Sequence, residues 1–307
     1  MGYKRAGFKV LGNVEIDPEV NAVYRANNHP KYSYEMDLRD FNARDDLPEE
    51  LYRLDILDGS PPCTSFSSAG LREKTWGKEK VFREGQAKQR LDDLFFVFLD
   101  TVEKLKPKIV IAENVVGLVR GKAKGYAHEI IKKFHSLGYS VQAFSLNSAH
   151  MDVPQARHRV FFIGNNQGFD KLKLDFHYDP ILFGAVRSEK GVPLNEGTVL
   201  KALADKVIAG ESSLSQTAAR TAGEKNKYFT TCVIGDNDVS QTITSSARHI
   251  RFCDRSYFSD EDIRRCQTFP EDYDFRGQDV GYICGMSVPP NMMANIATEV
   301  WEQWLQR

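Results

Sequence analysis

The chain lacks the paired cysteine spacing that a zinc site or a disulfide framework requires. Its five cysteines, Cys63, Cys232, Cys253, Cys266 and Cys284, are odd in number and form no CxxC pair, so neither staple nor structural metal is expected. It also lacks any apolar run near the roughly 20 residues of a membrane helix. Its opening, MGYKRAGFKV, has no apolar stretch of the signal-peptide kind, and a cytoplasmic protein without membrane partners is expected. A charge excess of one sign is missing too: 41 basic residues face 42 acidic ones, for a net charge of −1. Any binding to phosphate must then come from a local cationic face rather than from the whole. There is no internal repeat and no low-complexity tract.

What is present is ordinary globular material. The 307 residues are 41% hydrophobic and 27% charged, enough for one full core and a smaller companion domain. KVLGNVEID (9–17) reads as a strand ending in acids, and PEVNAVYRANN (18–28) as a helix with Pro18 in its first turn. LYRLDILDGSPP carries the next strand. AKQRLDDLFFVFLDTVEKLKP (87–107) has helical spacing, IVIAENV (109–115) is a β-branched strand, and AHEIIKKFHSLGY (127–139) is a helix closing near Gly138. SVQAFSLN and RVFFIGN look like two further strands. Strands alternating with helices imply an α/β fold with a parallel, doubly wound sheet, whose ligands bind at the carboxyl ends of the strands. Glu15, Asp17, Cys63, Glu113 and Asn114 fall at such ends. From 166 to 250 the chain turns polar and irregular, which predicts a second, smaller domain of short strands and loops. SDEDIRRCQTFPEDYDF (259–275) holds one short helix, and SVPPNMMANIATEVWEQWLQR ends in a helix opened by Pro290.

Three short stretches point to chemistry. In SPPCTSFSSAG, Pro61 and Pro62 stiffen the chain directly before Cys63. The residues after it are small and polar, so the thiol is presented rather than packed and is a candidate nucleophile. In AENVVGL, Glu113 closes a strand; alone it could cap a turn, but beside a presented cysteine it is a candidate acid or hydrogen-bond donor. In VPQARHRVFFIG, Arg157 and Arg159 stand two apart, a spacing that shares one face of a strand and suits anionic or carbonyl oxygens. The alternative is a solvated strand edge.

Taken together, DGSPPCTSFSSAG, ENVVGL, VPQARHRVFFIG, RRCQTFPEDY and GMSVPPNMMANIA resemble, in order and spacing, the cytosine-C5 DNA methyltransferases. The resemblance runs from residue 2 to about 300, interrupted after 166. It implies a Rossmann-like doubly wound methyltransferase sheet (1–170 and 284–307) and a loop- and strand-rich target-recognition domain with its hinge (171–283). It implies methyl transfer from S-adenosylmethionine to C5 of a flipped-out cytosine through a covalent Cys63–C6 adduct. In that scheme Glu113 holds the ring, Arg159 orients the cytosine carbonyl, and Arg157 supports the loop and Glu113. On the cofactor side it implies Glu15 at the ribose hydroxyls, Ile16 on adenine, Asp37 at the adenine amine, and Leu38, Pro62, Leu94 and Ser287 around them. On the DNA side it implies Ser65, Ser67, Arg72, Gln155 and Thr242, with Thr244 beside the last. A loop from Ser65 to about Gln86 adds Lys74, Lys78, Lys80 and Arg83 as a local cationic surface. The implied partners are double-stranded DNA and a cognate restriction endonuclease.

Two departures from the family pattern bear on the cofactor. The pattern opens with a strand and a Phe-x-Gly-x-Gly loop, whereas MGYKRAGFKVLGNVEID matches the helix after it. Met286 stands where the pattern carries Asn. Both predict that the 307-residue chain binds S-adenosylmethionine weakly or not at all and is inactive or nearly so. Two other readings stay open: a non-catalytic DNA-binding or partner subunit derived from such an enzyme, and a transfer-RNA cytosine methyltransferase, whose usual Cys-Phe-Thr step differs from PPCTSF.

Overall fold

In a computed structural model of the chain, the described residues are 1–61, 94–223, 228, 230–246 and 248–306, with 79–80, 89–90 and 122 described by their backbone. The chain divides into two compact units. One comprises Val10–Leu146, His158–Leu174 and Glu299–Arg307; the other comprises Met1–Lys9, Asn147–Arg157 and Asp175–Thr298. These boundaries fall elsewhere than at 170 and 284, and they place 147–157 and 284–298 with the region after 175.

The first unit is α/β. Gly12–Glu15 and Tyr32–Glu35 pair in parallel, Glu15 opposite Glu35, and the helix Pro18–Asn28 joins them. That helix starts where the sequence places it because the Asp17 carboxylate accepts the amides of Glu19 (2.9 Å) and Val20 (3.3 Å) while Pro18 takes the first position, where no amide is needed. The main sheet has the order Ile56–Gly59, Ile109–Val115, His158–Asn165, Ser140–Asn147. Ile56–Gly59 and Ile109–Val115 are parallel, but His158–Asn165 runs antiparallel to Ile109–Val115. The sheet is therefore mixed, a correction to the all-parallel expectation. The link from Ser140–Asn147 to His158–Asn165 holds no α-helical crossover, and parallel neighbours need one.

The core of this unit sets Val110 and Ala112, both buried, against the helices Leu94–Leu105 and Lys124–Ser136. Phe95 meets Phe162 edge-on at 5.7 Å, an arrangement that suits the ring quadrupoles. Gly59 ends its strand where a Cβ would sit 2.5 Å from the Phe98 ring; only glycine lets the helix approach there. Of the helix expected over 87–107, the described part is Leu94–Leu105. Gln89–Arg90, inside the expected helix, pairs antiparallel with Glu79–Lys80.

The second unit contains the short strands expected, Gln155–Ala156 with Ser240–Gln241 and Val233–Ile234 with Ile250–Arg251. It also contains helices that the polar composition concealed: Phe183–Val186, Val199–Ala204 and Leu214–Ala222. Thr198 caps the second through the Lys201 amide, and Gly223, at φ 67°, ends the third. Phe183 stacks on Phe258 at 4.4 Å. Below them the helix Asp260–Cys266 opens with a reciprocal Ser259–Asp262 capping box. Asp262, with no exposed surface, also accepts the Ser188 amide and lies 3.5 Å from the buried Arg251 guanidinium. Among the described residues no helix is long and apolar enough to cross a membrane.

Candidate active site

The strand Ile109–Val115 buries its first four residues and then ends in Glu113 and Asn114. Alternation sends these two side chains to opposite faces, and each finds a different partner. The antiparallel register sets Val115 opposite Arg159 and Glu113 opposite Phe161, so Glu113 and Arg159 are diagonal neighbours on one face. Arg159 Nε lies 2.8 Å from Glu113 Oε1, with the side chains 14% and 15% exposed. Burial draws the Arg159 pKa down, and the Glu113 carboxylate works against that shift. On the other face Asn114 is buried; its Nδ2 donates to the Pro61 carbonyl at 3.0 Å and its Oδ1 accepts the Val115 amide at 2.9 Å. The strand end thus presents a counter-charged carboxylate and, with the next residue, anchors the chain two positions before Cys63. Pro62, Cys63, Ser65, Ser67, Arg72, Lys74, Lys78 and Arg83 lie outside the described residues, as does the side chain of Lys80.

The acids expected at the cofactor stand at the ends of the other parallel pair. Glu15 closes Gly12–Glu15, and its Oε1 accepts the Asp17 amide at 2.9 Å. Burial pushes its carboxyl pKa up; hydrogen bonds from the Asp17 and Ile16 amides oppose that shift and the charge of Asp17 adds to it. Asp37, two residues past Glu35, caps the helix Leu38–Asn42 through the Arg39 amide at 2.7 Å. Its guanidinium neighbour Arg39 is 3.4 Å away. Leu38 packs against Leu94 and Val97, while Ile16 is half-buried. The set combines two carboxylates at strand ends with aliphatic side chains, a donor chemistry that suits hydroxyls, an amine and a flat apolar ring.

The remaining expected residues belong to the second unit. Gln155 is fully buried and its amide is used inside the protein: Oε1 accepts the Ile243 amide (3.1 Å) and Nε2 donates to Gln267 Oε1. This corrects its expected place at the DNA, since it has no surface to offer. Arg157 precedes the strand His158–Asn165, so the shared-face argument for Arg157 and Arg159 does not apply. The Arg157 guanidinium donates to the carbonyls of Ile243 (2.9 Å) and Gly285 (2.8 Å). Thr242 Oγ1 donates to the Ala156 carbonyl, and Ser287 Oγ to that of Ile283. Met286 is exposed. Gln267 carried no sequence signal of its own; a glutamine inside RRCQTFP looks like any helix-end polar residue.

The sequence pattern of C-5 cytosine-specific DNA methylases matches residues 1–257. The chain belongs to that family. The type II methyltransferase M1.HphI of Haemophilus parahaemolyticus is 34% identical over 169 residues, covering 55% of this methylase chain and 43% of the relative. M.HindV of Haemophilus influenzae is 26% identical over 309 residues, covering 98% and 91%. The methylase chain thus spans less than half the length of M1.HphI. Among solved structures, a protein encoded within an E. coli prophage and described as a DNA modification methyltransferase superposes with a TM-score of 0.70. It is 19% identical, with 98% of this chain and 94% of that one covered, and at that identity the likeness establishes the methylase fold alone.

Proposed function

We propose that the chain methylates C5 of cytosine in double-stranded DNA, with Cys63 as nucleophile. The observation that carries this reading is the Glu113–Arg159 pair at the end of Ile109–Val115, in a member of the C-5 cytosine methylase family. C5 of cytosine is a poor nucleophile. Addition of the Cys63 thiolate to C6 forms an S–C6 bond and moves the double-bond electrons toward C5, which becomes enamine-like. Glu113, acting as the acid, gives a proton to N3 as negative charge develops on the ring, and its other oxygen accepts from the exocyclic amine. Arg159 fixes that carboxylate and faces the ring carbonyl. Asn114 fixes the Pro61 carbonyl, two residues before Cys63 in the chain. Once C5 carries the methyl group, a base removes the C5 proton, the ring double bond returns and the S–C6 bond breaks.

S-adenosylmethionine supplies the electrophilic methyl group. Glu15 would hold its ribose hydroxyls and Asp37 its amine, with Ile16, Leu38 and Leu94 along the adenine; Pro62 and Ser287 complete the expected set. The target atom is inaccessible in a duplex, so the cytosine must be flipped out. Residues 171–283 would choose the sequence, with Thr242, Ser65, Ser67 and Arg72 at the DNA, and a restriction endonuclease is the implied counterpart. The test uses duplex DNA copied with 5-fluorocytosine in place of cytosine, which blocks proton removal from C5. At a cofactor concentration high enough to offset the weak binding predicted from the missing glycine loop and Met286, the chain is expected to form an adduct that survives denaturing electrophoresis, and Cys63→Ser to form none. An adduct that persists in the Ser variant, or none with the parent chain, refutes the reading.

A further inference from the structure

Two segments of the second unit, 242–245 and 284–287, lie directly against each other. A Cβ on Gly285 would sit 2.3 Å from the Ser245 amide nitrogen and 2.4 Å from the Thr244 carbonyl carbon. The two segments are also held by one buried chain of amides. The Ile243 N–H donates to Gln155 Oε1 at 3.1 Å. That fixes which way the Gln155 amide faces, so Gln155 Nε2 donates onward to Gln267 Oε1. Gln267 Nε2 then donates to the carbonyls of Cys284 (2.6 Å) and Ser287 (2.9 Å). Both glutamines have no exposed surface. Every amide in the relay points the same way, and neither glutamine could be reversed without setting donor against donor or acceptor against acceptor.

We infer that Gln267 is a positioning residue that fixes the 242–244 and 284–287 segments as one body. The consequence rests on the proposed function: Thr242 closes the recognition region and Ser287 belongs to the cofactor set, so DNA affinity and cofactor affinity depend on the same buried amide. Gln267→Leu keeps the volume but leaves Gln155 Nε2 with the Cys266 carbonyl alone (3.4 Å), leaves the Cys284 carbonyl with the Ser287 amide alone (3.1 Å), and takes the Gln267 donor from the Ser287 carbonyl. With rates normalised to the folded, active fraction, KM for DNA and Kd for S-adenosylmethionine are both expected to rise by about tenfold. The kcat at saturation of both is expected to stay within about threefold, as for loss of uniform binding. Gln267→Glu keeps the acceptor for Gln155 and regains one donor when protonated. It should recover part of both affinities as pH is lowered, which the Leu variant cannot do, and it serves as the second variant if the Leu chain does not fold. A Leu variant that loses thermal stability while both constants stay unchanged, or in which only one constant moves, overturns the inference. If the parent chain neither binds the cofactor nor methylates, the functional reading fails instead. The relay is then decided by hydrogen exchange at the Ile243 amide, which must speed up in the Leu variant if Gln267 holds Gln155 and stay unchanged if it does not.

Discussion

Removing Arg159 should destabilise the first unit through Glu113, and the geometry sets the scale. The two side chains approach at 2.8 Å with only 14% and 15% of their surface exposed. Unit charges about 4 Å apart at an effective dielectric near 20 attract by roughly 4 kcal/mol before desolvation is counted. Desolvation of both groups cancels part of that, and charged hydrogen bonds of this kind retain about 1.5–3 kcal/mol. Arg159→Ala alone leaves the Glu113 carboxylate half-buried without its counter-charge, so a loss of about 2–3 kcal/mol is expected. The pairwise part is isolated by a cycle of Arg159→Ala, Glu113→Gln and the double variant, each unfolded in urea, which does not screen charge. A coupling of about 1.5–3 kcal/mol is expected, little changed between low and moderate salt because the pair is shielded from ions. A coupling below about 0.5 kcal/mol would match independent sites and refute the argument that the antiparallel register exists here as an energetic contact.

Asn114→Ala removes the bonds to the Pro61 carbonyl and the Val115 amide. It should cost about 1–2 kcal/mol in stability and reduce methylation by a larger factor than that cost explains; a rate loss no greater than the loss of folded protein would detach Pro61 from the site. Arg251→Met leaves Asp262, fully buried, without its cation. A loss of about 3–5 kcal/mol is expected by urea titration, and a change under about 1 kcal/mol would show the pair to be replaceable. His249 is buried, and burial holds its pKa at about 4 against an ordinary 6.5. Above pH 6.5 both folded and unfolded forms are neutral there. Between 6.5 and 4 the unfolded chain binds the proton first, so stability should fall as pH falls, by up to about 1.4 kcal/mol per pH unit. His249→Gln should flatten that limb, and parallel limbs in the two proteins would contradict the assignment.

Local chemistry made some of this structure legible and left other parts silent. The helix Pro18–Asn28 and the strand Ile109–Val115 appear where the sequence places them, because an Asx cap followed by proline and a β-branched run are short-range signals. The direction of His158–Asn165 is not such a signal: alternation of side chains is the same in either direction, and only the helix-free link before it hinted at reversal. The two-apart rule paired Arg157 with Arg159, yet the strand begins at His158. Glu113 and Arg159 were both legible, but their contact depends on a register that no single segment encodes. Gln155 was placed at the DNA by the family resemblance alone, and only tertiary burial reveals it as part of a relay with Gln267. The helices between 183 and 222 were hidden by polar residues that occupy their outer faces, with few apolar positions turned inward.

The chain passes between its two compact units at residues 9–10, 146–147, 157–158, 174–175 and 298–299. This has a consequence for synthesis on the ribosome. The first unit is closed by its last segment, where Trp304 Nε1 donates to the Asp170 carbonyl, its ring lies 5.8 Å from Phe169, and Gln303 bonds the backbone of Lys173 at both amide and carbonyl. Those partners emerge early, but Trp304 follows only after 175–298 have been translated. At about 5–20 residues per second that interval is roughly 6–25 s. Throughout it, the 169–173 stretch waits uncovered while the other unit is made. The second unit is complete once Thr298 is made, whereas the first is closed only by Glu299–Arg307, so a stop codon just after 298 would release the second unit whole and leave the first open.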